Sequence, residues 1–158
     1  MSVASSSAAL HARRIPASDL GLSISDVSPV AVSIVRTLQR SGFQAEMVGG
    51  CVRDLLLGWP PKDFDVVTNA TPEQIKNLFR RARVIGRRFQ LVHVRIGRDV
   101  IEVSTYRGSD TAIQKQHRGR AKKKIPPNNV FGRREEDVLR RDFTINALYY
   151  DPVEEVVT

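Results

Sequence analysis

Apolar residues recur along the chain at two spacings, and these predict helices and strands in alternation. In three stretches the apolar residues lie three or four positions apart, which is typical of amphipathic helices. The predicted helices begin at Ser28, Cys51 and Thr71, and Gly42 and Gly58 end the first two. The first and third also begin with a capping residue followed by proline, which favours a helix start.

Shorter runs, either apolar throughout or alternating with polar residues, predict strands. Strands are predicted at 45–48, 63–67, 91–96 and 100–106, the last two joined as a hairpin. A last helix is predicted over 135–150, and Asp151-Pro152 ends it. Its expected core positions are Val138, Leu139, Phe143, Ile145 and Leu148. The order of these elements predicts a mixed α/β domain.

Length and composition limit the number of domains and the class of protein. The 158 residues suffice for one domain with a hydrophobic core. No apolar run approaches the ~18 residues of a membrane-spanning helix, so we expect no membrane partner. Cys51 is the only cysteine, which excludes an intrachain disulfide and fits a reducing compartment. We therefore expect a cytoplasmic protein and, by default, a monomer.

The first eighteen residues are rich in Ser, Ala and Arg and contain no acid. This composition is typical of a disordered tail, but also of a transit peptide that directs a protein to an organelle. We favour the tail. The predicted division is thus a tail over 1–18 and one folded domain over 19–158, within which the polar, basic stretch 107–130 forms a loop.

The formal net charge of +8 indicates an anionic partner, and nucleic acid is the first candidate. Residues 111–127 contain six Lys or Arg and no acid, so the rest of the chain carries only +2. Such a loop could follow the backbone of RNA or DNA, giving affinity without sequence readout. A solvated loop without a partner is the alternative.

Asp63 and Asp65 are the first candidates for chemistry. Residues i and i+2 of a strand point to the same face, so the two carboxylates could converge on one or two cations. Magnesium takes carboxylate ligands and leaves room for the phosphates of a substrate. Two solvent-facing acids on a strand would give the same pattern, so the pair alone does not decide between a metal site and a solvated strand face.

Gly49 and Gly50 end a predicted strand and begin a helix shortly before these acids. Glycine lets backbone N–H groups approach a ligand closely, and a helix N-terminus attracts phosphate. Arg53, on the first turn, could reach the same anion. The alternative is a tight turn without a ligand, but the short spacing to Asp63 favours a triphosphate beside the carboxylates.

Three further side chains could complete such a site. Glu102 lies in mid-strand among apolar residues, where an acid faces either solvent or a metal site. Arg141 and Asp142 belong to the run 140–143, which could bind phosphate or form a surface ion-pair network. Asn146, one turn beyond Asp142 on the predicted helix, could orient its carboxylate.

Two segments together resemble the signature of class II nucleotidyltransferases, the family of CCA-adding enzymes and bacterial poly(A) polymerases. They are VGGCVRDLLLG at 48–58, followed by KDFD at 62–65, and RRDFTINA at 140–147. The resemblance covers residues 15–158. Finer features resemble the poly(A) polymerase branch: GRRF at 86–89, IEVSTYRG at 101–108, NVFG at 129–132 and LYY at 148–150.

This resemblance implies the N-terminal head of such an enzyme, with the mixed sheet and flanking helices of a DNA polymerase beta-like nucleotidyltransferase. It implies that Asp63, Asp65 and Glu102 hold two Mg²⁺ ions and that Asp142 is an active-site acid. The residues implied to contact the incoming nucleotide are Gly49, Gly50, Arg53 and Arg141. The implied reaction is attack of an RNA 3′-hydroxyl on the α-phosphorus of ATP, with release of pyrophosphate.

The implied partners are therefore an RNA 3′ end and ATP. The family's chains continue into helical neck and body domains, and we expect both to be absent from these 158 residues. Because the neck reads the base, the choice between ATP and CTP is not set here. A CCA-adding enzyme, or a truncated and non-catalytic fragment that binds RNA or nucleotide, are the alternatives.

Overall fold

An eight-stranded sheet forms the centre of the computed structural model, which describes residues 12–87, 89–108 and 131–158. The strands are β1 (Ile15–Pro16), β2 (Ala45–Val48), β3 (Asp65–Thr68), β4 (Ala82–Ile85), β5 (Leu91–Ile96), β6 (Asp99–Thr105), β7 (Tyr149–Asp151) and β8 (Val156–Val157). The α-helices are α1 (Pro29–Arg40), α2 (Gly50–Leu56), α3 (Pro72–Leu78) and α4 (Arg134–Leu139). Short 3-10 helices cover Ala17–Leu20, Ile24–Asp26 and Thr144–Asn146.

The strands lie in the order β1-β8-β7-β2-β3-β6-β5-β4. The pair β3 and β6 is parallel, and the other pairs are antiparallel. The prediction of a mixed sheet flanked by helices is thereby confirmed. The parallel pair lies in the middle of the sheet, where the chain crosses over through α3, β4 and β5.

One face of the sheet carries the main hydrophobic core. Met47, Val66 and Val103 occupy neighbouring positions on β2, β3 and β6 and are fully buried. They belong to the same core cluster as Ile34 and Leu38 of α1, which recur at helical spacing. The predicted amphipathic helix α1 therefore packs its apolar side on this face.

The opposite face, here called the site face, has a much smaller apolar cluster. Val48, Val67, Tyr106 and Tyr149 form it, with Val138 of α4 packed against them. Because side chains alternate along a strand, Tyr149 lies on the site face while its neighbour in β7 belongs to the main core. The small cluster leaves polar residues of β3 and β6 on the remainder of this face.

The prediction of one helix over 135–150 is wrong. Helix α4 ends at Leu139, the 3-10 helix Thr144–Asn146 follows, and β7 pairs with β2 near the middle of the sheet. Consequently Leu139, Phe143 and Ile145 are 67%, 65% and 56% exposed rather than buried. Strands β1, β4 and β8 were also not predicted.

The predicted boundary at residue 18 also needs correction. Ile15–Pro16 pair with Val156–Val157, and Ala17 is buried with its N–H donating to the Glu155 carbonyl at 2.8 Å. Residues 15–17 thus belong to the domain, because residues 155–157 supply their backbone partners. The predicted tail over 1–11 and most of the predicted loop, residues 109–130, lie outside the described residues. In the described ranges, we find no helix with the length and apolar character to cross a membrane.

Candidate active site

Asp65 and Glu102 stand side by side at the middle of the site face. They are register partners on the parallel strands β3 and β6, so their side chains project to the same face. Burial raises the pKa of Asp65, and the charges of Glu102 and Asp63 raise it further, while Arg141 opposes them. The carboxylates therefore repel one another, and a bound cation would relieve this repulsion.

Asp63 does not share the strand with Asp65, contrary to prediction. Strand β3 begins at Asp65, and Asp63 lies exposed in the preceding segment. Within residues 12–87, 89–108 and 131–158, no three His, Cys, Asp or Glu side chains are arranged to hold a metal ion. The three-carboxylate metal site thus stays a prediction. What the structure brings together is the pair of Asp65 and Glu102.

A cavity of about 260 Å³ opens beside this pair. Asp65 and Glu102 line it together with three arginines, Arg107, Arg140 and Arg141. Guanidinium groups bind phosphate oxygens through paired, charge-assisted hydrogen bonds. A site with carboxylates on one part of its wall and arginines on another can bind a polyphosphate together with the cation that accompanies it.

Gly49 and Gly50 lie where arginine side chains approach the backbone. Gly49 has φ 80° and ψ −134°, a conformation that side-chain-bearing residues rarely adopt. A Cβ at Gly49 would lie 3.6 Å from Arg141 Nη1, and one at Gly50 would lie 3.5 Å from Arg53 Nη2. Both distances are ordinary van der Waals contacts, so the arginines that were predicted to bind nucleotide lie directly against the two glycines.

Arg53 and Asp142 are not placed in the cavity wall. Arg53 donates to Asp54 Oδ1 at 2.9 Å and to Asn146 Oδ1 at 3.1 Å. Asn146 therefore orients Arg53 and not Asp142, because the predicted helix that would have aligned them does not form. Asp142 is exposed, and its role as an active-site acid stays a prediction.

Asp137 is a buried residue of the site that was not predicted from the sequence. Its Oδ2 accepts hydrogen bonds from Arg141 Nε at 3.2 Å, Arg141 Nη2 at 3.0 Å and the Tyr149 hydroxyl at 2.8 Å. Its Oδ1 accepts from the Arg107 N–H at 3.2 Å. One carboxylate thereby holds two arginine-bearing segments of the cavity wall. The i,i+4 spacing of Asp137 and Arg141 was the available sequence signal.

Two more residues of the site were not predicted: Arg107, which lines the cavity, and Tyr149, which contacts Arg141. Burial lowers the pKa of Arg141, but the charge of Asp137 and the Tyr149 hydroxyl outweigh it, and the net shift is upward. The Arg141 guanidinium also lies 5.5 Å from the centre of the Tyr149 ring. Tyr149 therefore helps to fix the arginine that faces the carboxylates.

The mixed sheet, the paired carboxylates and the arginine-lined cavity define a nucleotidyltransferase head. Residues 45–158 match the family described as the poly A polymerase head domain, and the chain belongs to that family. Poly(A) polymerase I of Haemophilus influenzae is 52% identical over 141 residues, which cover 87% of this chain and 31% of that protein. The CC-adding tRNA nucleotidyltransferase of Halalkalibacterium halodurans is 42% identical over 123 residues, or 78% of this chain and 27% of that protein.

Comparison with a solved structure indicates the same class of protein, a nucleotidyltransferase head. The crystal structure of the Bacillus stearothermophilus CCA-adding enzyme in complex with CTP matches with a TM-score of 0.64 and 34% identity, covering 80% of this chain and 28% of that one. The predicted family and head fold are confirmed. The chain spans less than a third of the length of these relatives.

Proposed function

We propose that this chain is the catalytic head of a template-independent RNA nucleotidyltransferase that transfers AMP from ATP to RNA 3′ ends. The observation that carries the proposal is the cavity in which Asp65 and Glu102 face three arginines. Membership of the family supports nucleotidyl transfer as the reaction class. The 52% identity to a protein named poly(A) polymerase I supports ATP as the donor.

In the proposed reaction, the RNA 3′-hydroxyl oxygen forms a bond to the α-phosphorus of ATP while the bond to the pyrophosphate oxygen breaks. The hydroxyl proton goes to solvent, and pyrophosphate leaves. Arg107, Arg140 and Arg141 would bind the phosphate oxygens and stabilise the charge that the leaving group acquires. Asp137 would keep Arg141 aimed at those oxygens.

Asp65 and Glu102, with Asp63 nearby, are the residues that would hold Mg²⁺. The donor set fits, since magnesium is commonly held by one or two carboxylates together with substrate phosphates. When bound, the ion would neutralise the carboxylates and supply positive charge at the reacting oxygens. Two ions, and contacts of Gly49, Gly50 and Arg53 with the nucleotide, remain part of the proposal.

The test uses the chain with a labelled RNA, Mg²⁺ and each nucleoside triphosphate separately. We expect repeated incorporation from ATP, and a loss of roughly a hundred-fold or more in Asp65→Asn, because the variant removes a charge that acts on the reacting groups. Asp99→Asn, an exposed acid at the start of β6, is the matched control and should retain activity. Equal activity of Asp65→Asn and the unmodified chain would contradict the mechanism.

A CCA-adding activity is the second candidate. The match to a CCA-adding enzyme in complex with CTP, at TM-score 0.64, is the observation that favours it. In the same assay, incorporation of CTP before ATP onto tRNA would support this activity. RNA binding by the folded chain without turnover of any nucleotide would instead support a non-catalytic fragment. A cytoplasmic location and a monomeric state both stay predictions. Sedimentation of the chain checks the monomeric state.

A further inference from the structure

A second basic segment, separate in sequence from residues 111–127, lies on β4, β5 and their flanks. Residues 80–98 contain seven arginines and no acid. The chain has 25 basic and 17 acidic residues, so without these seven and the six at 111–127 it has 12 basic against 17 acidic. The remainder of the protein is therefore net negative, and its positive charge is concentrated in two segments.

The strand register places part of this segment on the site face. Arg83 is the partner of His93, His93 is the partner of Glu102, and Glu102 is the partner of Asp65. These four residues form one row across β4, β5, β6 and β3, and His93 Nε2 lies 3.8 Å from Glu102 Oε2. Neighbouring strands lie ~4.8 Å apart, so Arg83 stands roughly 14 Å from Asp65 on the same face.

Two more arginines extend this row along the strands. Arg95 lies two residues beyond His93 and therefore on the same face. Arg81 stands opposite Arg95, whose N–H donates to the Arg81 carbonyl at 3.0 Å. We call Arg81, Arg83 and Arg95 the arginine strip.

The charges of the arginine strip are not neutralised by the described protein. All three side chains are exposed, and among the residues that the structure describes none of them has an acidic group within 4.0 Å. Like charges held close together repel one another, and a bound polyanion would relieve the repulsion. Apolar side chains alternate with the strip, since Ile85 and Val100 are 38% and 50% exposed.

The carboxylates separate the strip from the arginines of the cavity. Arg107 lies beyond the end of β6, whereas Arg95 is the partner of Val100 near its beginning, with Glu102 between the two levels. The cavity arginines surround a confined space that suits a compact polyphosphate. The three side chains of the strip are exposed along the sheet, which suits an extended polyanion that approaches the carboxylates from the other side.

We propose that the arginine strip binds the phosphate backbone of the RNA strand whose 3′ end is extended. The inference rests on the proposed function, because it takes the carboxylates as the place where the RNA end meets the nucleotide. The strip contacts phosphates and no base, so it gives affinity and direction without sequence preference. It is an RNA surface formed by β4, β5 and their flanks, separate in sequence from the basic residues at 111–127.

The test compares two variants of equal charge. Arg81→Gln/Arg83→Gln/Arg95→Gln removes the strip, and the matched control removes three exposed cations from α1 and α3 on the other side of the sheet. The control variant is Arg36→Gln/Arg40→Gln/Lys76→Gln. Binding of a labelled oligo(A) with a 3′-deoxy end is measured by fluorescence anisotropy at several salt concentrations, and thermal unfolding is recorded for both variants.

We expect the strip variant to bind the oligo(A) roughly ten-fold or more weakly, and the slope of log K against log salt to fall by about 2, since each lost phosphate contact removes ~0.7 for a single strand. The control should change affinity by less than about two-fold, because its charges face away from the RNA. Equal loss in the two variants, an unchanged strip variant, or no binding by the unmodified chain would overturn the proposal. Displacement of the oligo(A) by polyglutamate at equal charge concentration would overturn it in favour of an acidic protein partner.

A separate measurement distinguishes this proposal from the proposed function. Asp65→Asn should bind the oligo(A) at least as tightly as the unmodified chain, because it removes a negative charge and leaves the arginine strip intact. If Asp65→Asn still incorporated nucleotide, the proposed mechanism would fail. The anisotropy measurement on the strip variant would still test RNA binding by the arginine strip. If the strip variant kept its RNA affinity, the strip would fail whatever Asp65→Asn does in the incorporation assay.

Discussion

Asp137 shows how one buried side chain can position several parts of a site. It is 6% exposed, and its two oxygens accept hydrogen bonds from Arg141, the Tyr149 hydroxyl and the Arg107 N–H. A buried carboxylate is stable only when such donors surround it. Because Arg141 lines the cavity, the same contacts that stabilise Asp137 also fix the arginine that we propose to bind phosphate. We therefore propose Asp137 as a positioning residue.

Replacing Asp137 by asparagine should weaken nucleotide binding more than it slows turnover. The variant keeps the side chain's shape but removes the charge that holds Arg141, so we expect KM for ATP to rise about ten-fold while kcat falls less. The control is Glu46→Gln, which loosens the same helix by removing the partner of Arg134, 2.6 Å away, without touching Arg141. Steady-state kinetics on both variants, with their unfolding free energies, checks this. An equal rise of KM in both would assign Asp137 a purely structural role.

Elements with strong local signals could be predicted from the sequence. Helix α1 has a capping serine, a proline and an apolar stripe, and the hairpin of β5 and β6 has alternating residues around Gly97. Strand β7 could not be predicted, because Tyr149 and Tyr150 continue the helical spacing of the preceding residues. Their strand conformation depends on β2, about a hundred residues earlier in the chain.

The same distinction applies to the site. Asp65, Glu102 and Arg141, which line the cavity, were candidates because their residue types and motifs can be recognised in the sequence. Arg107 was not, because its contact with Asp137 joins segments that are thirty residues apart. Asp137 had a local signal in its i,i+4 spacing to Arg141, but its bonds to Arg107 and Tyr149 depend on the fold. Two carboxylates in a D-x-D pattern also predicted one shared strand face, yet the strand begins only at the second acid. Motifs therefore indicated the candidate residues, and tertiary contacts determined which other groups surround them.

The turn between β2 and α2 depends on glycine at position 49. Asparagine readily adopts the left-handed conformation of Gly21, with φ 69° and ψ 16°, but not that of Gly49, with φ 80° and ψ −134°. We expect Gly49→Asn to lower the unfolding free energy by about 1–3 kcal/mol and to displace Arg141. Gly21→Asn, in open space, should change it by less than about 0.5 kcal/mol. Urea denaturation measures both, and similar costs would show that Gly49 is replaceable.

At the scale of the whole molecule, the two faces of the sheet meet different requirements. The helix-covered face is apolar and gives the domain its core, whereas the site face places charged groups on β3 and β6. Tyr149 and Tyr150 are adjacent in β7 but point to opposite faces. The Tyr149 hydroxyl donates to Asp137 at 2.8 Å, while among the described residues the buried Tyr150 hydroxyl has no hydrogen-bond partner.

These two tyrosines should therefore respond oppositely to removal of the hydroxyl. Tyr150→Phe removes an unpaired buried polar group and should raise the unfolding free energy by about 1 kcal/mol, whereas Tyr149→Phe breaks a bond to a carboxylate and should lower it by about 1.5–3 kcal/mol. Urea denaturation at neutral pH checks both values. A loss of stability in Tyr150→Phe would mean that its hydroxyl has a partner after all.

The pH dependence gives an independent check on Tyr150. Burial, and then the charges of Glu155 and Asp151, raise the pKa of Tyr150 from its ordinary value of 10.0 to about 12. Between these values the unfolded chain has lost the phenolic proton while the folded protein retains it. The part of the unfolding free energy that depends on this proton is therefore fully present below pH 10 and is lost as the pH rises toward 12. Unfolding free energies measured across this range should fall less steeply for Tyr150→Phe than for the unmodified chain, and parallel curves would contradict the burial of this hydroxyl.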